Sequence, residues 1–162
     1  MMGVSDLLVY PMKYTDLLEH PEGGRYLEVY RSANTVATAD KTRTALTHIY
    51  FSLEPHEVSR FHRVSNDEVW NLYQGEGLYL YQWDGRSSGI KAIELSVKSM
   101  NFCHVIPAGY WQAAVPIKDR VLVGCSVAPG FEFEDFTLID PKSPVAKTLL
   151  EIDPGLSKLI QP

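Results

Sequence analysis

The sequence has few cysteines, no long apolar run and no excess of basic residues, and each absence excludes a class of protein. Two cysteines in 162 residues are too few for a disulfide scaffold and too far apart for a metal motif. Every longer apolar stretch is interrupted by a charge or a proline, which argues against a membrane span. The net charge of −5 argues against binding to nucleic acid.

The remaining composition is that of a globular protein, with 45% hydrophobic and 22% charged residues. The length predicts a single domain over residues 1–162. Residues 1–6 lack the basic and apolar segments of a signal peptide. Cys103 and Cys125 each lie inside an apolar run, so we expect two buried free thiols in a cytoplasmic protein.

Short alternating segments separated by turn residues occupy most of the chain. Residues 44–53 alternate, and residues 120–127 are almost continuously apolar, which is typical of a buried strand. Helical patterns are confined to residues 13–19, 145–150 and 154–160. Nine or ten strands with turns between them predict an all-β sandwich or barrel with short terminal helices.

Residues 59–75 contain the best candidate site. Two alternating runs joined by the turn residues 65–67 predict a hairpin with His62 and Glu68 on one wall of a sheet. An imidazole beside a carboxylate on an apolar wall is either part of a metal shell or a base with its orienting partner. The alternative is a buried pair that only stabilises the hairpin.

Four segments, in order along the chain, resemble the fifth cupin family, small β-barrels of unknown function. They are residues 20–24 (HPEGG), 28–32 (EVYRS), 61–70 (FHRVSNDEVW) and 124–131 (GCSVAPGF). Glu68 and Gly75 match the glutamate-to-glycine spacing of the first cupin motif. Residues 107–112 match the second motif, with Gln112 where the family has a histidine.

This resemblance implies a cupin-type double-stranded β-helix, a jelly-roll barrel, over residues 20–139, followed by a short helical tail over residues 140–162. It implies a small-molecule site inside the barrel. Cupin barrels generally pair through sheets or swapped end strands, and an open barrel exposes strand edges, so we also expect a homodimer. A fold hosts many activities, so the resemblance alone does not define the reaction.

A divalent metal (Zn, Mn, Fe or Ni) is the cofactor that the resemblance suggests. The usual cupin shell has three histidines and a glutamate. His62 aligns with either motif histidine, and the other position then falls on Arg60 or Val64, neither of which is a ligand. The candidate ligands are therefore His62, His104, Glu68 and Gln112.

Two kinds of function remain open from the sequence. In the first, the protein resembles the cupins that are sugar-nucleotide epimerases or isomerases, with His62 as general base, Glu68 as its orienter and Tyr50 or Tyr73 as the acid. A metal-dependent lyase, isomerase or oxygenase is a variant of this enzyme. In the second, the barrel is a non-catalytic module that binds or senses a small ligand.

Five residues are candidates for contact with the ligand: Trp70, Trp111, Gln112, Arg63 and Phe131. Aromatic rings with a few convergent polar groups are typical of a small-molecule pocket, and an arginine can bind a carboxylate or phosphate. The alternatives are core rings and a surface arginine. Residues 33–41 are small and polar, and they form either a plain connector or a lid.

Overall fold

Alternation and turn residues convert most of residues 11–162, the part of the chain that the computed structural model describes, into short antiparallel strands. The prediction made for residues 1–6 lies outside these described residues. The strands are β1 (Leu18–Glu19), β2 (Arg25–Arg31), β3 (Thr35–Ala37), β4 (Thr42–Thr44), β5 (Thr47–Leu53), β6 (Ser59–Val64), β7 (Asp67–Gln74), β8 (Gly77–Trp83), β9 (Lys91–Ser96), β10 (Cys103–Ile106), β11 (Trp111–Pro116), β12 (Val121–Ala128) and β13 (Phe136–Leu138).

Two antiparallel sheets form the body of the fold, which confirms the all-β prediction. The larger sheet has the strand order β1-β2-β5-β12-β7-β10, and the smaller sheet has the order β13-β6-β11-β8-β9. Strands β3 and β4 pair separately as a small hairpin. Side chains from both sheets, including Phe51 and Trp70 on one and Leu80 and Leu95 on the other, meet in one buried core.

The predicted pairing of β6 with β7 is wrong. Strand β6 pairs with β11 and β13, whereas β7 pairs with β10 and β12, so the turn between them carries the chain from one sheet to the other. A polar turn specifies only that the chain reverses, not whether the two strands pair. His62 and Glu68 therefore reach the interior from opposite sheets.

The C-terminal residues cover the outer face of the smaller sheet. The α-helix α1 (Pro144–Ile152) and the 3-10 helix Pro154–Leu159 confirm the two predicted helical segments. Ser143 caps α1 by accepting a hydrogen bond from the Ala146 backbone N–H. The tail and the sheet share a second apolar core, formed mainly by Phe61, Trp83, Trp111, Ala146, Leu149, Leu156, Leu159 and Ile160.

Three local predictions need correction. The predicted N-terminal helix is only a 3-10 turn (Tyr14–Asp16) followed by β1, and the strand predicted over residues 131–139 begins with a 3-10 turn (Phe133–Asp135). Cys103 is exposed, because it lies on the edge strand β10, whereas Cys125 is buried as expected.

The polar segment 33–41 is a connector rather than an open loop. Most of it forms the β3–β4 hairpin, and Lys41 Nζ contacts Asp135 Oδ1 at 2.5 Å. This anchoring favours the connector over the lid. Within residues 11–162, no helix has the length and apolar character needed to cross a membrane.

Candidate functional site

A cavity of about 290 Å³ opens between the larger sheet and strands β6 and β13 of the smaller sheet. Its walls contain many aromatic and acidic side chains. The described aromatic residues that line it are Tyr26, Phe51, Trp70, Phe131, Phe133 and Phe136. The polar or ionisable residues that line it include His20, Glu22, Glu28, Arg31, His62 and Glu68. A concave, largely apolar space with a few convergent polar groups is the usual form of a small-molecule site.

Glu22 enters the cavity because a glycine turn holds it against β6. Gly23 has φ +110°, and a Cβ at this position would lie 2.1 Å from the Val58 carbonyl oxygen, so a larger residue would push the turn away from β6. The Arg60 backbone N–H donates to the Glu22 carbonyl at 2.8 Å. The turn and the strand are therefore fixed to one another, and the Glu22 side chain points towards His62.

Glu22 and His62 form a buried pair at the base of the cavity. His62 Nε2 lies 3.2 Å from Glu22 Oε2, and the two side chains are only 2% and 6% exposed. Ser59 Oγ donates to the other carboxyl oxygen of Glu22 at 2.7 Å. The carboxylate partner of His62 is thus Glu22, not Glu68 as the sequence suggested.

Hydrogen bonding locates the protons of this pair. His62 Nδ1 donates to the Arg60 carbonyl oxygen at 2.8 Å, which leaves Nε2 with a lone pair directed at Glu22. Burial lowers the pKa of His62 to about 3 and raises the pKa of Glu22 well above its ordinary value. At neutral pH the imidazole is therefore neutral, and burial favours the protonated, uncharged form of the Glu22 carboxyl group beside it.

His20 extends this neutral cluster towards the aromatic wall. Its Nδ1 lies 3.4 Å from Glu22 Oε2, and burial lowers its pKa to about 4. The ring packs edge-on against Tyr26, with centroids 4.9 Å apart, and against Phe136 at 5.6 Å. Both histidines of the cavity are therefore uncharged at neutral pH.

Glu68 faces the same cavity from the larger sheet. Gln112 Nε2 donates to Glu68 Oε2 at 2.5 Å, while Gln112 Oε1 accepts from Trp70 Nε1 at 2.7 Å. The glutamine amide thus orients both the carboxyl group and the indole. Burial raises the pKa of Glu68 to about 7 despite this hydrogen bond, so its charge changes near neutral pH.

The structure separates the candidate residues from the sequence into two groups. His62, Glu68, Trp70 and Phe131 line the cavity, and Gln112 lies directly behind Glu68 and Trp70. The other ligand or acid candidates lie outside it: Tyr50, Tyr73, Arg63 and Trp111.

Strand alternation explains why the second group is outside. Ile49 and Phe51 line the cavity, so Tyr50 between them points to the outer face of the larger sheet. Tyr73 is on that outer face too, where its hydroxyl group lies 3.0 Å from His48 Nε2. The two tyrosines are thus misplaced as acids for His62.

Arg63 and Trp111 lie together on the outer face of the smaller sheet. The Arg63 guanidinium lies 5.2 Å from the Trp111 ring centroid, a cation–π contact. Arg63 is exposed, and Trp111 belongs to the core shared with the C-terminal tail. Neither residue is in a position to contact a guest in the cavity.

The proposed metal shell does not fit a bound divalent ion. His104 Nε2 lies 2.7 Å from Gln82 Oε1, and His104 does not line the cavity with His62. The Gln112 amide oxygen is already bonded to Trp70. No group of three or more His, Cys, Asp or Glu side chains in residues 11–162 has the arrangement of a metal site. We therefore derive no step through a metal.

Several cavity residues were missed by sequence reasoning: His20, Glu22, Tyr26, Phe133 and Phe136. The signal for the first two is present in the HPEGG segment, whose pattern predicts only a helix end and a turn. Two adjacent glycines after a histidine and a glutamate indicate a tight backbone that presents both side chains. Phe133 and Phe136 give no comparable signal.

Comparison with known proteins gives a family but no activity. Residues 11–139 match the family described as "Cupin superfamily (DUF985)". The chain is 29% identical over 142 residues to the uncharacterized protein YML079W of Saccharomyces cerevisiae, which covers 76% of this chain and 70% of the yeast protein.

Two solved structures are similar over almost the whole chain. Protein SO0799 from Shewanella oneidensis has a TM-score of 0.75 and 31% identity, covering 92% of this chain and 94% of that chain. A hypothetical protein from Leishmania major has a TM-score of 0.74 and 26% identity, covering 90% of this chain and 92% of that one. Together with the two antiparallel sheets, these matches confirm the predicted cupin jelly roll.

Proposed function

We propose, for a chain that belongs to the fifth cupin family (DUF985), that the cavity between its sheets is the active site of a proton-transfer enzyme of the isomerase or epimerase type. The observation that carries the proposal is the buried contact of His62 Nε2 with Glu22 Oε2 at 3.2 Å, beside a cavity that also exposes Glu68. Its substrate is a small molecule that occupies this cavity.

The two polar groups of the cavity suit opposite roles. Burial raises the pKa of Glu22 and so favours its protonated form, which gives the Glu22–His62 pair the role of proton donor to a guest. Burial raises the pKa of Glu68 to about 7, and its ionised form is able to accept one. A general base works best when its pKa is near the working pH.

Isomerisation and epimerisation need this combination. A C–H bond of the substrate breaks and its proton passes to the Glu68 carboxylate. The Glu22–His62 pair then supplies one proton to another position, or to the opposite face of the same carbon. Proton count and charge balance over the cycle once the two groups exchange protons with water. The charge of Glu68 itself raises the pKa of Glu22, which favours a protonated donor while the acceptor is ionised.

Hydrogen exchange tests this proposal while the substrate is still unidentified. The protein is incubated in D₂O with pooled small metabolites, and mass spectrometry detects deuterium entering C–H positions. We expect one compound or one class to gain deuterium with the wild type. We expect His62→Gln and Glu68→Gln to slow the exchange by ~10²–10⁴-fold, the usual contribution of a positioned acid or base.

His104→Gln is the matched control, because His104 is half-buried but lies outside the cavity. It should leave the exchange rate unchanged. If the wild type labels no compound, or if both cavity variants label as fast as the wild type, the assignment of proton transfer to these groups is wrong.

A second candidate function is that of a non-catalytic binding module. The observation that favours it is Gln112, which stands where the family motif has a histidine and whose amide bonds to Trp70 and Glu68. This function predicts that a co-purifying small molecule, identified by mass spectrometry, raises the melting temperature without any deuterium exchange.

Homodimer formation in the cytoplasm also remains a proposal. The outer face of the larger sheet carries Tyr30 and Tyr73, which are 52% and 46% exposed, and a second copy of the chain is the partner that would cover them. Light scattering on purified protein should give twice the chain mass, and Tyr73→Glu should reduce it to that of one chain. A wild type with the mass of a single chain would contradict the dimer.

A further inference from the structure

The ionisable side chains that line the cavity are predominantly carboxyl groups. Among the described lining residues, four carboxyl groups (Glu22, Glu28, Glu68 and Glu132) accompany one guanidinium group. That guanidinium, Arg31, donates to both carboxyl oxygens of Glu28 at 2.9 Å and to Glu132 Oε1 at 2.7 Å. It also donates to the Phe131 carbonyl oxygen at 3.2 Å. Arg31 is thus committed to protein groups.

This arrangement is unfavourable for an anionic guest. The two histidines that line the cavity are neutral at neutral pH, and Arg31 is already paired, so the described lining offers no free cation to a phosphate or a carboxylate. A sugar nucleotide carries two phosphates, and the described lining leaves no free cation to bind them.

Aromatic rings form one continuous wall of the same cavity. The ring centroids of Phe131 and Phe133 are 5.0 Å apart, and each lies 6.1 Å from that of Phe136. Phe51 and Trp70 pack edge to face at 5.8 Å on the larger sheet. Ring faces attract cations within ~6 Å of the centroid, most strongly where water is excluded.

Glu68 leaves one carboxyl oxygen for a guest. Its side chain is more than nine-tenths buried, with 7% exposure, and Oε2 is held by Gln112. No described residue donates a hydrogen bond to Oε1, and Oε1 is not among the fully enclosed atoms that lack a partner. This oxygen is therefore open to contact, on a side chain that lines the cavity.

We propose that the guest of this cavity is a small organic cation, an amine or a quaternary ammonium compound, whose charged nitrogen lies between the phenylalanine wall and Glu68. This inference rests on the proposed function for its site, and it names the class of guest that the site binds. It replaces the sugar nucleotide that the family resemblance suggested, because the described lining offers no free cation for phosphates.

The pH dependence of binding follows from Glu68. A bound cation favours the ionised carboxylate, so it lowers the pKa of Glu68 from about 7 and releases a proton. Affinity should therefore increase as the pH rises through 7. Between pH 6 and pH 8 the ionised fraction of a group with a pKa of about 7 changes about tenfold, and we expect about the same change in affinity.

Calorimetric titration with matched probes tests this inference. The cations are choline, tetramethylammonium and propylamine; 3,3-dimethylbutan-1-ol is the neutral isostere of choline, and 3,3-dimethylbutanoate is an anion of similar shape. We expect at least one cation to bind more tightly than the neutral and anionic probes, with about tenfold higher affinity at pH 8 than at pH 6. Glu68→Gln should remove that pH dependence and weaken the cation at least tenfold.

Glu76→Gln, which alters an exposed carboxyl group outside the cavity, is the control and should bind like the wild type. Equal or tighter binding of the neutral or anionic probe would overturn the inference, as would the absence of binding by every cation. The result of the deuterium experiment does not depend on the result of this titration. Exchange on an anionic metabolite would refute only the cation, whereas cation binding without any exchange would refute only the catalysis.

Discussion

Glu22 and Asp135 are equally buried, each 5% exposed, yet their surroundings act on the carboxyl group in opposite directions. Asp135 accepts from Arg43 Nε at 2.8 Å and from Lys41 Nζ at 2.5 Å, and these cations lower its pKa. Glu22 accepts from the Ser59 hydroxyl group and forms no ion pair with any lysine or arginine of residues 11–162, so burial dominates and raises its pKa. Equal burial therefore does not fix the charge of a carboxyl group, because its partners can offset the cost of burial.

The two carboxyl groups have correspondingly different tasks. Asp135 lies immediately before Phe136 and holds the β3–β4 hairpin against the 3-10 turn that carries Phe133. It thus fixes the aromatic wall by an ion pair that is complete within the protein. Glu22 lies beside a cavity, and burial favours its protonated form. The ion pair of Asp135 is structural, whereas Glu22 is the group to which we assign proton transfer.

The largest expected effect is the difference in stability between isosteric amide substitutions at these two sites. Asp135→Asn keeps the shape but removes the charge that Arg43 and Lys41 need, and losing one partner of a buried pair costs ~3–5 kcal/mol. Glu22→Gln replaces a neutral acid by a neutral amide that still accepts from Ser59 and donates to His62, so we expect a loss below ~1 kcal/mol. Urea unfolding at pH 7 measures both free energies of unfolding.

The comparison between Glu22 and Asp135 would fail if the two amides destabilised the protein equally. An equal loss would mean that Glu22 is ionised in the folded protein and paired with a charged His62. Choosing amides rather than alanine keeps cavity formation out of the result, since each replacement has nearly the volume of the residue it replaces.

A second prediction concerns Glu68, which, like Glu22, is a buried carboxyl group with a raised pKa. Because its pKa rises from 4.5 unfolded to about 7 folded, the folded protein retains a proton that the unfolded chain loses between these values. The contribution of Glu68 to the free energy of unfolding is fully present below pH 4.5 and is lost as the pH rises to about 7. Glu68→Gln lacks this loss. The free energy of unfolding of the variant should therefore increase relative to that of the wild type as the pH rises, by ~1.4 kcal/mol per pH unit and by up to ~3 kcal/mol in all.

Urea unfolding of both proteins at half-unit steps from pH 5 to pH 8 measures that difference. His20 and His62 titrate in the opposite sense, which is why the wild-type profile alone is not informative. Subtracting the variant from the wild type removes their contribution. The difference for Glu76→Gln should stay within ~0.5 kcal/mol at every pH. A Glu68→Gln difference that is equally flat would contradict the raised pKa.

The sequence predicted the fold better than the site, and the residues show why. Alternation along one strand is local, so it placed His62, Glu68 and Trp70 correctly towards the interior. The contact between His62 and Glu22 joins residues 40 positions apart and depends on how a glycine turn packs on β6. Local patterns do not specify such packing.

The errors have the same origin. The turn after β6 predicts a hairpin because its residues favour reversal, but the choice between pairing and crossing to the other sheet depends on the whole barrel. Tyr50 is wrong as a site residue, and its own alternation with Ile49 and Phe51 excludes it. The family resemblance predicted the architecture correctly. It also suggested a metal shell, which the described side chains do not form.

The smallest effect expected around Asp135 comes from its neighbour Glu134. Glu134 also contacts Arg43, but its side chain is 64% exposed, whereas that of Asp135 is 1% exposed. An exposed ion pair contributes only ~0.2–1 kcal/mol to stability, because water stabilises the separated charges almost as well as the contact between them does. Glu134→Gln should therefore cost less than ~1 kcal/mol in urea unfolding at pH 7, and added salt should reduce that cost further. A loss as large as that of Asp135→Asn would mean that Arg43 depends on both carboxylates, and that the anchor of the aromatic wall reaches the protein surface.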